Sequence, residues 1–338
     1  MQTEWREFEH HQAAHCESGV TSNLLRHAGL PVSEAMAFGI GSGLFFIYVP
    51  LIKVMGLPLT SYRSFPGSIF KKTCKRLKIP YEYKKFRSPE KGERQLDSYL
   101  EEHRAVGMQS NIYWLPYIPE QFRFQFNAHN LVVFAKAESD DYLVSDPILE
   151  HVSICPARAL QKARFAKGIL APKGLMYFPR PTNLDHALPL SQAVHKGIKE
   201  TVQRMLYAPF IQVGVRGIRY LSRQIENWPK TLPRVERQKL YLANVVRMQE
   251  EIGTGGAGFR FLYAAFLQEA GDQLGNQALL DASKQMTEVG NSWREFATIS
   301  ARFCKDRAPD ALREIPQLLL QIAEQEKSIY QGLRRNYL

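Results

Sequence analysis

Hydrophobic and polar positions change rhythm once along the chain. Up to about residue 180, apolar positions come in short runs broken by glycine, proline and charge clusters. Beyond it they recur at helical spacing over long stretches. The first part opens on a helix signal: Val20, Leu24, Leu25 and Ala28 share one face between Glu17 and Ala28, and Gly29 and Pro31 stop it. Further helices are expected over 65–77 and 93–103. Strands are expected over 106–115, 123–127, 129–135, 142–144 and 174–178, with Ser139, Asp140 and Asp141 as a turn. Helices first and neighbouring strands later, without βαβ alternation, predict an α+β domain with an antiparallel sheet over residues 1–180. The second part, 188–338, is predicted all-α, with helices over 190–205, 212–225, 233–251, 258–270, 277–305 and 315–337. The stretch 178–189 holds Pro179, Pro181 and Pro189 and reads as a linker.

Composition narrows the class. Hydrophobic residues make up 45% and charged residues 23%, a balance that folds and excludes disorder over most of the chain. The net charge of +11 points to an acidic partner. Its densest source is the run Lys71, Lys72, Lys75, Arg76, Lys78, Lys84, Lys85, Arg87 and Lys91, read either as a steering face or as an ordinary solvated surface. Tyr81, Tyr83 and Phe86 are the only aromatics interleaved there and no known motif surrounds them, which disfavours nucleic acid. Cys16, Cys74, Cys155 and Cys304 are too scattered for a disulfide framework and lack metal-ligand spacing, so neither a zinc site nor another metal is expected. The apolar run 37–52 is broken by Gly39, Gly41, Gly43 and Pro50 and is shorter than the roughly 20 residues a spanning helix needs. The first ten residues lack a basic-then-apolar signal layout, so a cytoplasmic protein is expected.

Chemistry gathers at three points. Cys16 sits just ahead of the first helix, where free N–H groups and the positive end of the dipole favour a thiolate. His129 heads the apolar strand, and Asp146 ends the next one, so two paired strands can set them side by side. The order Cys, His, Asp, with the cysteine on a helix and the others on adjacent strands, is that of papain-like thiol enzymes. Taken singly, each has a plainer reading: a buried thiol, a satisfied strand histidine, a turn carboxylate. An oxyanion donor is also needed. The backbone N–H of Cys16 is one candidate. His10, six residues upstream, falls where papain-like enzymes keep a glutamine, and Gln12 and His11 compete with it. Gly41 and Gly43 belong to a G-x-G-x-G run that is no dinucleotide fingerprint. The run is either a close backbone approach beside the cleft or a turn. Arg260, after the glycine-rich 253–258, reads as a phosphate or carboxylate ligand or as a helix-surface ion pair. Trp228 and Trp293 read as packing residues.

These residues also carry a resemblance. His15-Cys-Glu-Ser-Gly-Val-Thr-Ser-Asn-Leu-Leu-Arg-His-Ala-Gly29, Ser33-Glu34 and Phe38-Gly-Ile-Gly-Ser-Gly-Leu-Phe-Phe46 resemble the N-terminal domain of butirosin biosynthesis protein H. Asn127-Ala-His-Asn-Leu-Val-Val133 and Ser145-Asp-Pro147 are similar to its histidine and aspartate segments. Gly255-Gly-Ala-Gly-Phe-Arg260, with Tyr263, Phe266, Leu267, Glu269 and Ala270, resembles the helical domain that often follows. The likeness covers roughly 8–180 and 188–305. It implies a papain-like fold, similar also to the leader peptidase domains of bacteriocin exporters. It implies acyl transfer from the phosphopantetheine thiol of an acyl carrier protein to an amine, with no resident cofactor. Cys16 would take the acyl group, His129 would be the base and Asp146 its orienter. An acidic carrier protein fits the basic run, with Lys71, Lys72 and Lys75 as contacts. The family serves varied natural-product pathways, so the acceptor does not carry over. Two rivals stay open: a thiol peptidase or amidase using the same triad, and a non-catalytic binding module.

Overall fold

The computed structural model describes residues 7–180 and 189–338, so most of the expected linker, 181–188, lies outside the described residues. In chain order the elements are α1 (Cys16–His27), α2 (Glu34–Ile40), β1 (Leu44–Val54), β2 (Leu57–Arg63), α3 (Ile69–Arg76), β3 (Tyr81–Lys84), α4 (Pro89–Glu101), β4 (Val106–Ser110), β5 (His129–Lys136), β6 (Tyr142–Ser145), β7 (Ser153–Cys155), α5 (Ala157–Arg164) and β8 (Met176–Pro179). Then come α6 (Leu190–Tyr207), α7 (Gly214–Thr231), α8 (Val235–Glu250), α9 (Arg260–Leu274), α10 (Gln277–Cys304) and α11 (Ile315–Asn336). The protein is therefore α+β with antiparallel sheets and a helical C-terminal region. Its contacts divide it into two compact units, Met1–Ala37 with Pro66–Pro189, and Phe38–Phe65 with Leu190–Leu338.

The first unit is built on a six-stranded sheet in the order β3-β8-β4-β5-β6-β7, every neighbouring pair antiparallel. Short hairpin connections from β5 through β7 dictate that direction. Helix α1 packs on β4, β5 and β8 and buries Val20, Leu24 and Leu25. A cluster of Val106, Met108, Leu131, Val133, Val144, Met176 and Phe178 packs with Leu96 of α4 and Leu160 of α5. Each such fully buried side chain contributes about 1.5–3 kcal/mol. The strand expected over 106–115 ends at Ser110, because Asn111 accepts the Tyr113 N–H and starts a 3-10 turn. The strand expected over 123–127 is absent: Phe124 and Phe126 pack on the core from a loop.

The second unit differs from the expected division at 180–188 because it takes in residues 38–65. The β1–β2 hairpin packs on α7 and α8, not on the six-stranded sheet. Its inward residues Phe46 and Tyr62 meet Trp293 of α10, at ring-centroid distances of 5.9 and 5.3 Å. The glycine-rich run leads into β1 and is explained by close approach. A Cβ on Gly39 would lie 2.0 Å from the Phe266 ring, and one on Gly43 would lie 2.4 Å from Phe38.

Candidate active site

Helix α1 starts at Cys16 because His15 caps it. His15 is extended, at φ −136° and ψ 131°, and its Nδ1 accepts from the Ser18 N–H at 3.3 Å. The Glu34 carboxylate holds the approach to the helix. It accepts from the backbone N–H groups of Ala14 at 2.9 Å and His15 at 2.8 Å, and from the Ser18 hydroxyl at 3.0 Å. Burial raises the Glu34 pKa against the pull of those three hydrogen bonds. The next carboxylate, Glu17, is buried and accepts from Gly67 and Ile69 N–H, capping α3. Cys16 is thus fixed at the first helical position, where its own N–H has no intrahelical acceptor.

Strand β5 supplies the imidazole and the end of β6 the carboxylate. His129 Nε2 donates to Asp146 Oδ2 at 2.6 Å, with both side chains buried. Asp146 also accepts from the Tyr117 hydroxyl at 3.1 Å and from the Ile148 N–H at 3.4 Å. Burial works against a protonated His129. The Asp146 charge and hydrogen bond, joined by the neighbouring Cys16 thiol, outweigh it and push the imidazole pKa up to about 10. Burial, with the Asp146 charge behind it, holds the Tyr117 phenol protonated. The Cys16 sulfur is only 8% exposed and is loosely held. The Asn130 amide nitrogen lies 3.9 Å away and the Ala128 carbonyl 4.0 Å.

Other expected site residues fall elsewhere. Both ring nitrogens of His10 are engaged, Nε2 donating to Leu149 O at 3.1 Å and Nδ1 meeting Ser145 Oγ at 2.7 Å, so a neutral ring has no N–H left for an oxyanion. Gln12 is exposed on the approach to α1, and His11 pairs with Glu9 at 3.5 Å. Gly41 and Gly43 are buried in the second unit, and a Cβ on Gly43 would run into the Phe38 ring. Arg260 corrects both of its readings. It is fully buried, forks onto Glu326 at 2.9 and 3.2 Å, and donates to Gly258 O at 2.7 Å. Lys71 and Lys75 are exposed on α3 and Lys72 half-exposed. The Lys71 ammonium sits 4.6 Å from the Tyr83 ring centre. Tyr117, Asn130 and Glu34 join the site without a role read from the sequence, although Glu34 and Asn130 lie in segments that carry the resemblance. Only Tyr117 lies outside them.

Among the described residues, no group of three or more His, Cys, Asp or Glu side chains converges as metal ligands, and no helix is long and apolar enough to cross a membrane. None of the curated proteins compared matches the chain. Residues 15–147 match the family described as butirosin biosynthesis protein H, N-terminal, a span that holds Cys16, His129 and Asp146. Residues 158–333 match a domain of unknown function, DUF4872. The chain therefore belongs to the DUF4872 family, and its N-terminal part carries the match to butirosin biosynthesis protein H.

Proposed function

We propose that this protein is a papain-like cysteine acyltransferase of a natural-product pathway. In this reading it takes an acyl group from a carrier-protein thioester and passes it to an amine. The observation that carries the reading is the 2.6 Å His129–Asp146 hydrogen bond beside a cysteine at a helix N-terminus. A ring held protonated is the partner a thiolate needs, and Asp146 fixes which nitrogen faces away from the sulfur. The Cys16 thiolate attacks the thioester carbonyl, and the developing oxyanion faces the Cys16 N–H. The tetrahedral adduct expels the phosphopantetheine thiolate, which takes a proton from His129. The acyl group is now a thioester on Cys16. An amine attacks it, His129 accepts the amine proton, and the Cys16 thiolate leaves as the amide forms. A basic surface on the same unit, with Lys71, Lys75, Lys78, Lys84, Lys85, Arg87 and Lys91 exposed, supports an acidic carrier protein as donor.

The test is intact-protein mass spectrometry after mixing with acyl-loaded carrier proteins, wild type beside Cys16→Ala. The expected result is a mass gain equal to the acyl group, lost in the variant, and an amide product once amines are supplied. Free acid as the only product would make the protein a hydrolase. A wild-type Cys16 inert to iodoacetamide would make it a binding module.

A further inference from the structure

Asn130 is 3% exposed, and its amide is fully committed. Its Oδ1 accepts from the Tyr177 hydroxyl at 2.8 Å. One proton of its Nδ2 goes to the Ala128 carbonyl at 3.0 Å, and the nitrogen stands 3.9 Å from the Cys16 sulfur, within hydrogen-bond reach for so large an atom. The orientation is not open to reversal, because the flipped amide would set two acceptor oxygens, its own and that of Ala128, against each other. Tyr177 in turn has room because of Gly107. These two residues face each other across β4 and β8, and a Cβ on Gly107 would come within 2.7 Å of both the Tyr177 ring and Leu24 Cδ1. Glycine inside a strand weakens it, and close approach of a neighbour is the usual reason to keep one.

We infer that the Asn130 amide is a second side-chain donor to the Cys16 sulfur, beside His129, with Tyr177 and Gly107 fixing its direction; the role rests on Cys16 being the reacting group. The contact is weak for a thiol, which can instead donate to the Ala128 carbonyl 4.0 Å away. It strengthens when the sulfur carries negative charge, because a charge-assisted hydrogen bond is roughly twice as strong as a neutral one. That happens twice per turnover: before Cys16 attacks, and when the sulfur leaves as the amide forms. While the acyl group is on the sulfur, the contact returns to the weak, neutral kind. Asn130 therefore favours the two charged states of the sulfur over the resting thioester.

The test reads sulfur reactivity directly and needs no acyl donor. The rate of iodoacetamide alkylation at Cys16, followed on the Cys16 peptide by mass spectrometry, is measured against pH for wild type, Asn130→Leu and Tyr177→Phe. At about pH 6 the rate should fall about tenfold in Asn130→Leu and two- to threefold in Tyr177→Phe, and all three should converge at high pH. Folded variants whose profiles overlay the wild type would overturn the inference, even with lowered melting temperatures, since that is what a purely structural role produces. If Asn130→Leu does not fold, Tyr177→Phe decides alone, because it removes one hydroxyl and keeps the ring. Failure of acyl transfer with the shifted profile intact would sink the proposed function and leave this assignment standing. A wild-type Cys16 that resists alkylation at every pH would overturn both.

Discussion

Each unit of this protein seals an ion pair among its described residues, and the two pairs end differently. In the second unit, Arg260 and Glu326 are both 0% exposed. Glu326 also accepts from Trp293 Nε1 at 2.9 Å and from the Tyr330 hydroxyl at 3.2 Å, and the guanidinium lies 5.5 and 5.2 Å from the Tyr62 and Trp293 ring centres. Each guanidinium nitrogen meets an acceptor, so nothing there is left to react. In the first unit, Asp146 is as well satisfied as Glu326. The polar chain then runs through His129 to a sulfur whose contacts with the Asn130 amide and the Ala128 carbonyl are 3.9 and 4.0 Å long. Burial alone does not separate structure from chemistry. The difference lies in whether the chain of hydrogen bonds closes on itself or ends at an atom left loosely held.

The largest effect that bears on this contrast is Asp146→Asn. It keeps the shape of the open-ended chain and removes the charge that holds the imidazole protonated, so acyl-adduct growth at Cys16 should slow by roughly 10²–10⁴-fold by intact mass. Glu326→Gln should do the reverse. It strands a buried guanidinium and should cost about 3–5 kcal/mol in denaturant unfolding, while the protein that remains folded is alkylated at Cys16 at the wild-type rate. Equal losses of stability and reactivity in that variant would erase the distinction. An effect of similar size, spread over several pH units, comes from His129. The folded protein binds the His129 proton more tightly than the unfolded chain, with a pKa of about 10 against 6.5. The stabilisation is therefore complete below about pH 6.5 and is lost as pH rises through about 10. The loss is at most about 1.4 kcal/mol per pH unit. Urea midpoints should fall over that window in wild type and stay flat in His129→Gln. Last, Tyr117→Phe removes one of several hydrogen bonds to the Asp146 carboxylate and should cost about 1.5–3 kcal/mol, with a few-fold slower adduct growth. A hundredfold loss would place Tyr117 at the reacting atoms.

All six C-terminal helices were legible, 277–305 expected against Gln277–Cys304 observed, because helical spacing persists over many turns, although those expected to end at 225 and 270 run on to Thr231 and Leu274. The β1–β2 hairpin was not. Residues 44–52 are apolar at every position, so the inward set of Leu44, Phe46 and Tyr48 leaves no alternation to read. The opposite error occurred at 123–127, where alternating polar and aromatic residues mimic a strand. There the Asn127 amide donates to the Lys167 and Ile169 carbonyls, and the segment stays a loop. Cys16, His129 and Asp146 could be singled out as candidates because their order along the chain is itself a pattern. Tyr117 reaches the site from a loop position that carries no spacing, and Glu34 lies in a segment of the resemblance that named no role for it. The burial of Arg260 depends on Glu326, 66 residues further on, a pairing invisible to any local reading.

The hairpin at 44–63 has a consequence for how the protein is made. Phe46 and Tyr62 leave the ribosome more than two hundred residues before Trp293, the side chain they pack against. At the usual 5–20 residues per second, the nascent ribbon waits on the order of ten to fifty seconds without its cover. During that wait it is an aromatic, edge-exposed hairpin, the kind of segment that seeks other strands. A chain stopped near residue 180 would never end that wait. The segment between α2 and α3 therefore makes the biosynthetic timing of the last helices a condition for the solubility of the first domain's chain.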